Sequence, residues 1–181
     1  SGILEFDGIS WRTIRTKQIS KVSTLTKDSR GKIYVGARGE IGYLQPDSMG
    51  RMSYFSLMDK ISKSQHDFTD VLYSSASEQG VWFVTDKYIF LWSNNEFKTR
   101  QPTSPILSAF YVNRRIYYLE KNEGLKYIEN DTIKFVENGY IFSETVIIQT
   151  MIEVSTGKML IGTGSKGLYI LDNQGIYPFK T

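Results

Sequence analysis

Short apolar runs, each interrupted after a few residues by a polar or Gly-containing turn, carry the chain from end to end, and long apolar helical stretches are missing. Four of the runs have a similar core: Lys32-Ile33-Tyr34-Val35-Gly36, Val81-Trp82-Phe83-Val84-Thr85, Ile116-Tyr117-Tyr118-Leu119 and Met159-Leu160-Ile161-Gly162-Thr163. Their centres at Tyr34, Trp82, Tyr117 and Leu160 stand 48, 35 and 43 residues apart. A recurrence near forty residues is the mark of a repeat architecture, in which no single unit buries its own apolar face.

Each core run follows a polar turn (Asp28 to Gly31, Ser77 to Gly80, Asn113 to Arg115, Ser155 to Lys158), and before each turn stands another apolar run: Val22 to Leu25, Val71 to Tyr73, Leu107 to Val112 and Val146 to Val154. A third run comes after a polar corner, at Ile41 to Leu44, Tyr88 to Trp92, Gly124 to Ile128 and Gly167 to Leu171. Further hairpin signals at Pro46 to Gly50, Ser93 to Asn95, Glu129 to Asp131 and Asp172 to Gly175 lead to fourth strands holding Tyr54 and Phe55, Phe97, Phe135, and Tyr177 with Phe179. Four antiparallel strands per repeat predict a β-propeller blade. Residues 2–11 align with Gly167 to Phe179, so the chain is expected to begin halfway through a blade. The fold expected is all-β, a propeller segment of about four and a half four-stranded blades, divided at 1–14, 15–56, 57–99, 100–137 and 138–181.

Composition agrees with strands: 12 Tyr, 10 Phe and 3 Trp suit a pleated surface. Net charge is +3, from 22 basic and 19 acidic residues scattered through turns, which does not indicate strong binding to nucleic acid or a membrane surface. With no Cys there is neither a disulfide framework nor a thiolate metal site, which fits an oxidising compartment. No apolar run is long enough to span a bilayer and no signal-peptide pattern is present; with Ser1 in first place, the chain reads as a processed product or an excised segment.

The stretch Val22 to Ala37, with its Asp28 and Gly31 turn and Tyr34-Val35-Gly36, together with Met159 to Thr163 and Gly167-Leu168-Tyr169, resembles the two-component regulator propeller repeat. Leu4 to Trp11 and Gly39 to Leu44 look like the form this group takes in bacteria of the Bacteroidetes type. Two blades depart from the pattern, one with Thr85-Asp86 in place of Gly-Thr and one with Asn113-Arg114-Arg115 lacking the Asp and Gly. The resemblance implies a periplasmic sensor region, part of a larger membrane-anchored protein with a histidine kinase or transcription-regulator output, and in some members the binding of oligosaccharides.

Chemical motifs are few. Gly162-Thr-Gly164-Ser-Lys-Gly167 satisfies G-x-G-x-x-G, but a phosphate cradle needs a helix next, and Leu168 to Leu171 reads as a strand, so a turn is expected. Thr26 to Gly31 suggests the Asp-box turn of sialidase-like propellers with its Gly one place late, and such an enzyme would need three convergent Arg and a Tyr nucleophile. His66, the only His, sits in the longest inter-blade connection beside Asp67 and Asp70; a solvated loop residue is expected rather than a ligand or base. Asn130-Asp131-Thr132 reads as a hairpin turn and not as a glycosylation acceptor.

If the turns joining second and third strands share a face with the blade-to-blade connections, that face gathers Arg38, Glu40, His66, Asp67, Phe68, Asp86, Lys87, Lys121, Glu123, Ser165 and Lys166, a mixed-charge surface suited to a polar ligand. The expected function is non-catalytic recognition or sensing of an oligosaccharide or other polar small molecule, with no cofactor and no metal. The competing class is a structural module assembling through open blade edges, as a homo-oligomer or with the remainder of a parent propeller. A sialidase-like glycosidase stands third.

Overall fold

A computed structural model describes residues 2–142 and 146–180. Its described residues form one two-stranded hairpin and four four-stranded antiparallel sheets, each with its strands in chain order from one edge to the other. The all-β propeller architecture expected from the repeat is therefore the one observed, and strand alternation produces it: Val22–Lys27 alternates half-buried and exposed residues along all six positions.

The chain divides into two compact units, residues 1–101 and 102–181. The first holds the hairpin β1 (Ile3–Phe6) and β2 (Trp11–Ile14), a blade of β3 (Val22–Lys27), β4 (Ile33–Ala37), β5 (Glu40–Pro46) and β6 (Met52–Ser56), and a blade of β7 (Val71–Ser77), β8 (Gly80–Thr85), β9 (Ile89–Ser93) and β10 (Glu96–Arg100). Its two full blades bury a shared aromatic core, with the Tyr34 ring 6.3 Å from Phe83 in an edge contact and Phe83, Phe90 and Ile41 sealed from solvent. Each such side chain contributes about 2 kcal/mol by area removed from water.

The second unit holds a blade of β11 (Ile106–Val112), β12 (Arg115–Glu120), β13 (Gly124–Glu129) and β14 (Thr132–Phe135), and one of β15 (Ile148–Ser155), β16 (Lys158–Thr163), β17 (Leu168–Asp172) and β18 (Gly175–Pro178). Its core joins Tyr117, Leu119 and Leu125 of one blade to Met151, Met159 and Ile161 of the other, closed by Phe142 from a 3-10 turn at Gly139–Phe142.

Turn chemistry explains the hairpins. Asn94 and Asn95, Asn113 and Arg114, and Asn130 and Asp131 all have positive φ, the conformation two-residue hairpins need to match strand twist. Aspartates close the longer turns: Asp28 Oδ1 accepts the N–H groups of Arg30 and Lys32, both at 2.9 Å, and Asp47 does the same for Met49 and Arg51.

Two devices recur in all four blades. The first strand carries a one-residue bulge immediately after its first residue, between Val22 and Thr24, Val71 and Tyr73, Ile106 and Ser108, and Ile148 and Thr150. Beside it, the residue after the second strand donates its N–H to the carbonyl of the residue before the first: Arg38 to Lys21, Asp86 to Asp70, Lys121 to Pro105 and Gly164 to Ile147, at 2.9–3.3 Å. The B–C corner, which joins second to third strand, is thereby fastened to the incoming connection, so the two do lie on one face of each blade.

The longest connection departs from a solvated loop. It contains 3-10 turns at Met58–Lys60 and Lys63–Gln65, and Leu57, Met58, Ile61 and Phe68 are buried in the first unit's core. Phe68, expected on the ligand face, instead packs edge-on to Phe90 with ring centroids 5.9 Å apart, because an aromatic ring gains more from this core than from water.

Candidate functional site

The B–C corners hold the residues that the sequence nominates, and the structure shows most of them engaged. Glu40 is 1% exposed, and its Oε2 accepts the N–H of Gln18 at 3.0 Å. Asp86 Oδ1 accepts the N–H of Thr69 at 2.8 Å. Glu120, which the sequence does not single out, accepts the N–H of Ser104 at 2.7 Å and the hydroxyl of Thr103 at 2.8 Å. In three blades, then, a corner carboxylate anchors the backbone of the incoming connection. Donation to an anion is the stronger class of hydrogen bond, and it satisfies N–H groups that strand pairing leaves over.

In the first unit Asp67 accepts Lys87 Nζ at 2.6 Å and the Tyr88 hydroxyl at 2.8 Å; these two donors hold its carboxyl below the usual carboxylate range. Arg38 lies 3.7 Å from Asp70 and is otherwise exposed. His66 Nε2 is 3.1 Å from the carbonyls of both Met58 and Ile61. Two acceptors on one nitrogen make Nε2 the protonated one, so His66 is a brace between the two 3-10 turns. In the second unit Glu123 contacts Lys126 Nζ at 3.3 Å, and the Lys121 and Lys166 side chains are exposed.

Concave space lies at the opposite ends of the strands. In the second unit a hollow of about 390 Å³ opens among the turns at Asn113, Gly157 and Asn173, within the size range of small-molecule sites. Tyr117 and Tyr127, paired across β12 and β13 with ring centroids 5.6 Å apart, line it along with Met159 and Leu171. The Arg115 guanidinium lies 5.2 Å from the Tyr127 centroid and is ion-paired with Glu129, whose other oxygen takes Lys134 Nζ at 2.5 Å. Burial raises the Tyr117 hydroxyl above its ordinary pKa, with Arg115 opposing, so it stays a neutral donor and acceptor at pH 7.

At the rim Asp172 accepts the Tyr177 hydroxyl at 2.6 Å and the Gln174 N–H at 2.9 Å. Gly175 is there of necessity: its φ is +95°, and a Cβ would stand 2.9 Å from both the Cγ and the carbonyl oxygen of Glu137. The arrangement offers the exposed Phe135 ring and the half-buried Tyr127 ring beside a buried Tyr117, with fixed ion pairs around them; it can hold a polar ligand by stacking and hydrogen bonding.

Sequence reasoning nominated none of the residues that line this hollow, and Tyr117 is itself buried, at 2% exposure. A signal was present: a cation two places before a Tyr on the second strand and another Tyr paired to it on the third, Arg115, Tyr117 and Tyr127, repeated as Lys32, Tyr34 and Tyr43. The G-x-G-x-x-G stretch ends on Gly167 with φ +78° and enters strand β17, as a turn does. Among the described residues no three His, Asp or Glu side chains are placed to hold a metal ion. No helix is long and apolar enough to cross a membrane, among the same residues.

No protein-family model matches the chain, and no curated protein sequence does. Solved structures do. The WD40 β-propeller domain of Doa1 superposes with a TM-score of 0.65 over 96% of this chain and 58% of its own, at 14% identity. Streptogramin B lyase gives 0.62 over 90% of this chain and 56% of its own, at 18% identity. An extracellular domain assigned to the hybrid two component system BT3049 of B. thetaiotaomicron gives 0.62 over 89% of this chain and 25% of its own, at 14% identity. These likenesses establish the β-propeller fold, and this chain spans from 25% to 58% of the three structures' lengths.

Proposed function

We propose that the chain is a non-catalytic recognition segment of a propeller, taking a polar ligand such as an oligosaccharide in the hollow of the second unit, within the periplasmic sensor region of a bacterial signal-transduction regulator. The observation that carries the reading is the paired Tyr117 and Tyr127 beside an Arg115 whose charge is met by Glu129. The half-buried Tyr127 ring, backed by the buried Tyr117 and set among charge-compensated polar neighbours, suits a neutral ligand that both donates and accepts hydrogen bonds. The extracellular domain of BT3049 among the similar folds, and the two-component propeller repeat in the sequence, support the sensory setting. A non-catalytic role is supported by the B–C corner carboxylates Glu40, Asp86 and Glu120, each hydrogen-bonded to backbone N–H groups.

Titration calorimetry with neutral hexasaccharides tests it. Saturable heat that Tyr127→Ala reduces at least tenfold in affinity, with the β circular-dichroism spectrum retained, is the expected result; equal binding by both proteins overturns it.

A second reading rests on a different surface. Leu4, Phe6 and Trp11 project from one face of the β1–β2 hairpin at 62%, 51% and 63% exposure, with the Phe6 and Trp11 rings 4.8 Å apart. An apolar sheet face of this kind serves assembly with another sheet. Under that reading the chain is an interaction module, and its solution mass rises with concentration.

A further inference from the structure

The repeat places in the first unit the same constellation that forms the hollow of the second. Counting from the residue that ends each second strand, Lys32 corresponds to Arg115 and Tyr34 to Tyr117, and the cross-strand pairs Tyr34 with Tyr43 and Tyr117 with Tyr127 occupy one register. Lys32 Nζ lies 3.4 Å from the Tyr43 centroid, as Arg115 lies over Tyr127. From the following blade, Val81, Trp92 and Asn94 take the places of Met159, Leu171 and Asn173. Beside this constellation lies a hollow of about 420 Å³, lined by Tyr34, Val81, Trp92 and Asn94 but not by Lys32 or Tyr43, and opening among the turns at Ser29, Gln79 and Asn94.

We infer that this hollow is a second ligand site, selective for an uncharged, hydroxyl-rich ligand. Its mouth carries Arg30 and Glu78, one charge of each sign, and is otherwise built from exposed hydroxyl and carboxamide side chains, Ser29, Gln79, Asn94 and Asn95, over the half-buried indole of Trp92. Such groups donate and accept equally well, which matches a ligand hydroxyl and gives nothing extra to an ion. The Asp28 carboxylate is engaged by its own turn, accepting the Arg30 and Lys32 N–H groups. The neighbouring cation is turned inward: burial holds the Lys32 ammonium below its ordinary pKa, and it rests on the Tyr43 ring. The second unit's hollow is lined by Arg115, Glu137 and Asp172, whereas this one sets Arg30 and Glu78 among a larger number of amides and hydroxyls, so the two hollows differ in selectivity.

The inference rests on the recognition reading above and extends it from one site to two. The test is amide chemical-shift mapping of the whole chain with cellohexaose, xylohexaose and mannohexaose, read at Gly80, Asn94 and Asn95 for the first unit and at Gly157, Asn173 and Gly175 for the second. Two sets of shifts with separable affinities are expected. In the double variant Gln79→Ala, Asn94→Asp, made at exposed positions, the first set should weaken at least fivefold and the second remain unchanged.

Shifts confined to the second unit overturn the second site and leave the proposed function standing. Shifts confined to the first unit uphold the second site and overturn the placement proposed above. Shifts in neither overturn both, and first-unit shifts indifferent to the double variant overturn the assignment of these side chains.

Discussion

Lys126 Nζ stands 2.9 Å from Glu120 Oε2, and the two side chains are 7% and 1% exposed. Burial alone would raise the Glu120 carboxyl, but hydrogen bonds from Lys126, Thr103 and the Ser104 N–H outweigh it and leave the carboxyl below the ordinary range. A depressed carboxylate stabilises the fold above its unfolded-state value, about pH 4.3, and the stabilisation disappears as pH falls through the folded value. Urea unfolding of the native protein and of Glu120→Gln should differ by a constant amount above about pH 5 and converge in more acid solution. Glu120→Ala, which removes the nearer of the two carboxylates on the buried Lys126 ammonium and leaves it to Glu123 at 3.3 Å, should cost about 3 kcal/mol at pH 7.

Gly36 admits no side chain. A Cβ there would lie 2.3 Å from Thr24 Oγ1 and 2.5 Å from Val71 Cγ1, the latter in the next blade of the same unit. Gly36→Ala should destabilise by about 1–3 kcal/mol through overpacking. The urea midpoint measures it, and an unchanged midpoint would mean that β3 and β7 can part at little cost.

His66→Phe keeps a ring of similar shape and removes the donor to the Met58 and Ile61 carbonyls. The loss expected is about 1 kcal/mol. Hydrogen exchange should quicken over residues 58–66 and nowhere else; uniform quickening would assign His66 a global role.

Asp67 and Lys87 form an exposed pair, and screening by water and salt leaves such pairs little net effect. Asp67→Asn should leave both the unfolding midpoint and saccharide affinity where they were. A tenfold fall in affinity would return the ligand face to the B–C corners.

If the hairpin face governs assembly, Phe6→Lys with Trp11→Lys should turn a concentration-dependent mass in light scattering into a constant one. Indifference to the pair removes the interaction reading from this face.

The blades were legible because their signals are local. Alternation, Asp and Gly turns and dipeptides such as Asn94-Asn95 act over a few residues, and they placed all four core strands on β4, β8, β12 and β16. First strands were located less well: the third begins at Ile106, one residue before the run was read to start, and the fourth begins at Ile148, two residues after. The bulges left no trace, since the extra residues are Ser23, Leu72, Leu107 and Gln149, and backbone pairing rather than side-chain type defines them. Glu40 illustrates the limit at the site. A carboxylate next to a Gly turn reads as surface, while the partner that draws it inside is a backbone N–H twenty-two residues earlier, invisible to pattern. Phe68 was misplaced for a related reason, because the 3-10 turns that precede it are three residues each, too short to show a period.

The bulge at the head of every blade makes the chain intolerant of miscounting. One extra residue there changes which side of the sheet the strand's first residue presents, and it delivers Val71 to the bare backbone of Gly36 in the preceding blade. Deleting Leu72 would restore regular pairing and swing Val71 out of that seat, though no buried atom had been removed. Lengthening the Glu78–Gln79 turn at the strand's other end shifts no such facing. Insertions and deletions across this chain should therefore sort by reading position within the repeat, with the second residue of each first strand the least forgiving place to lose a codon.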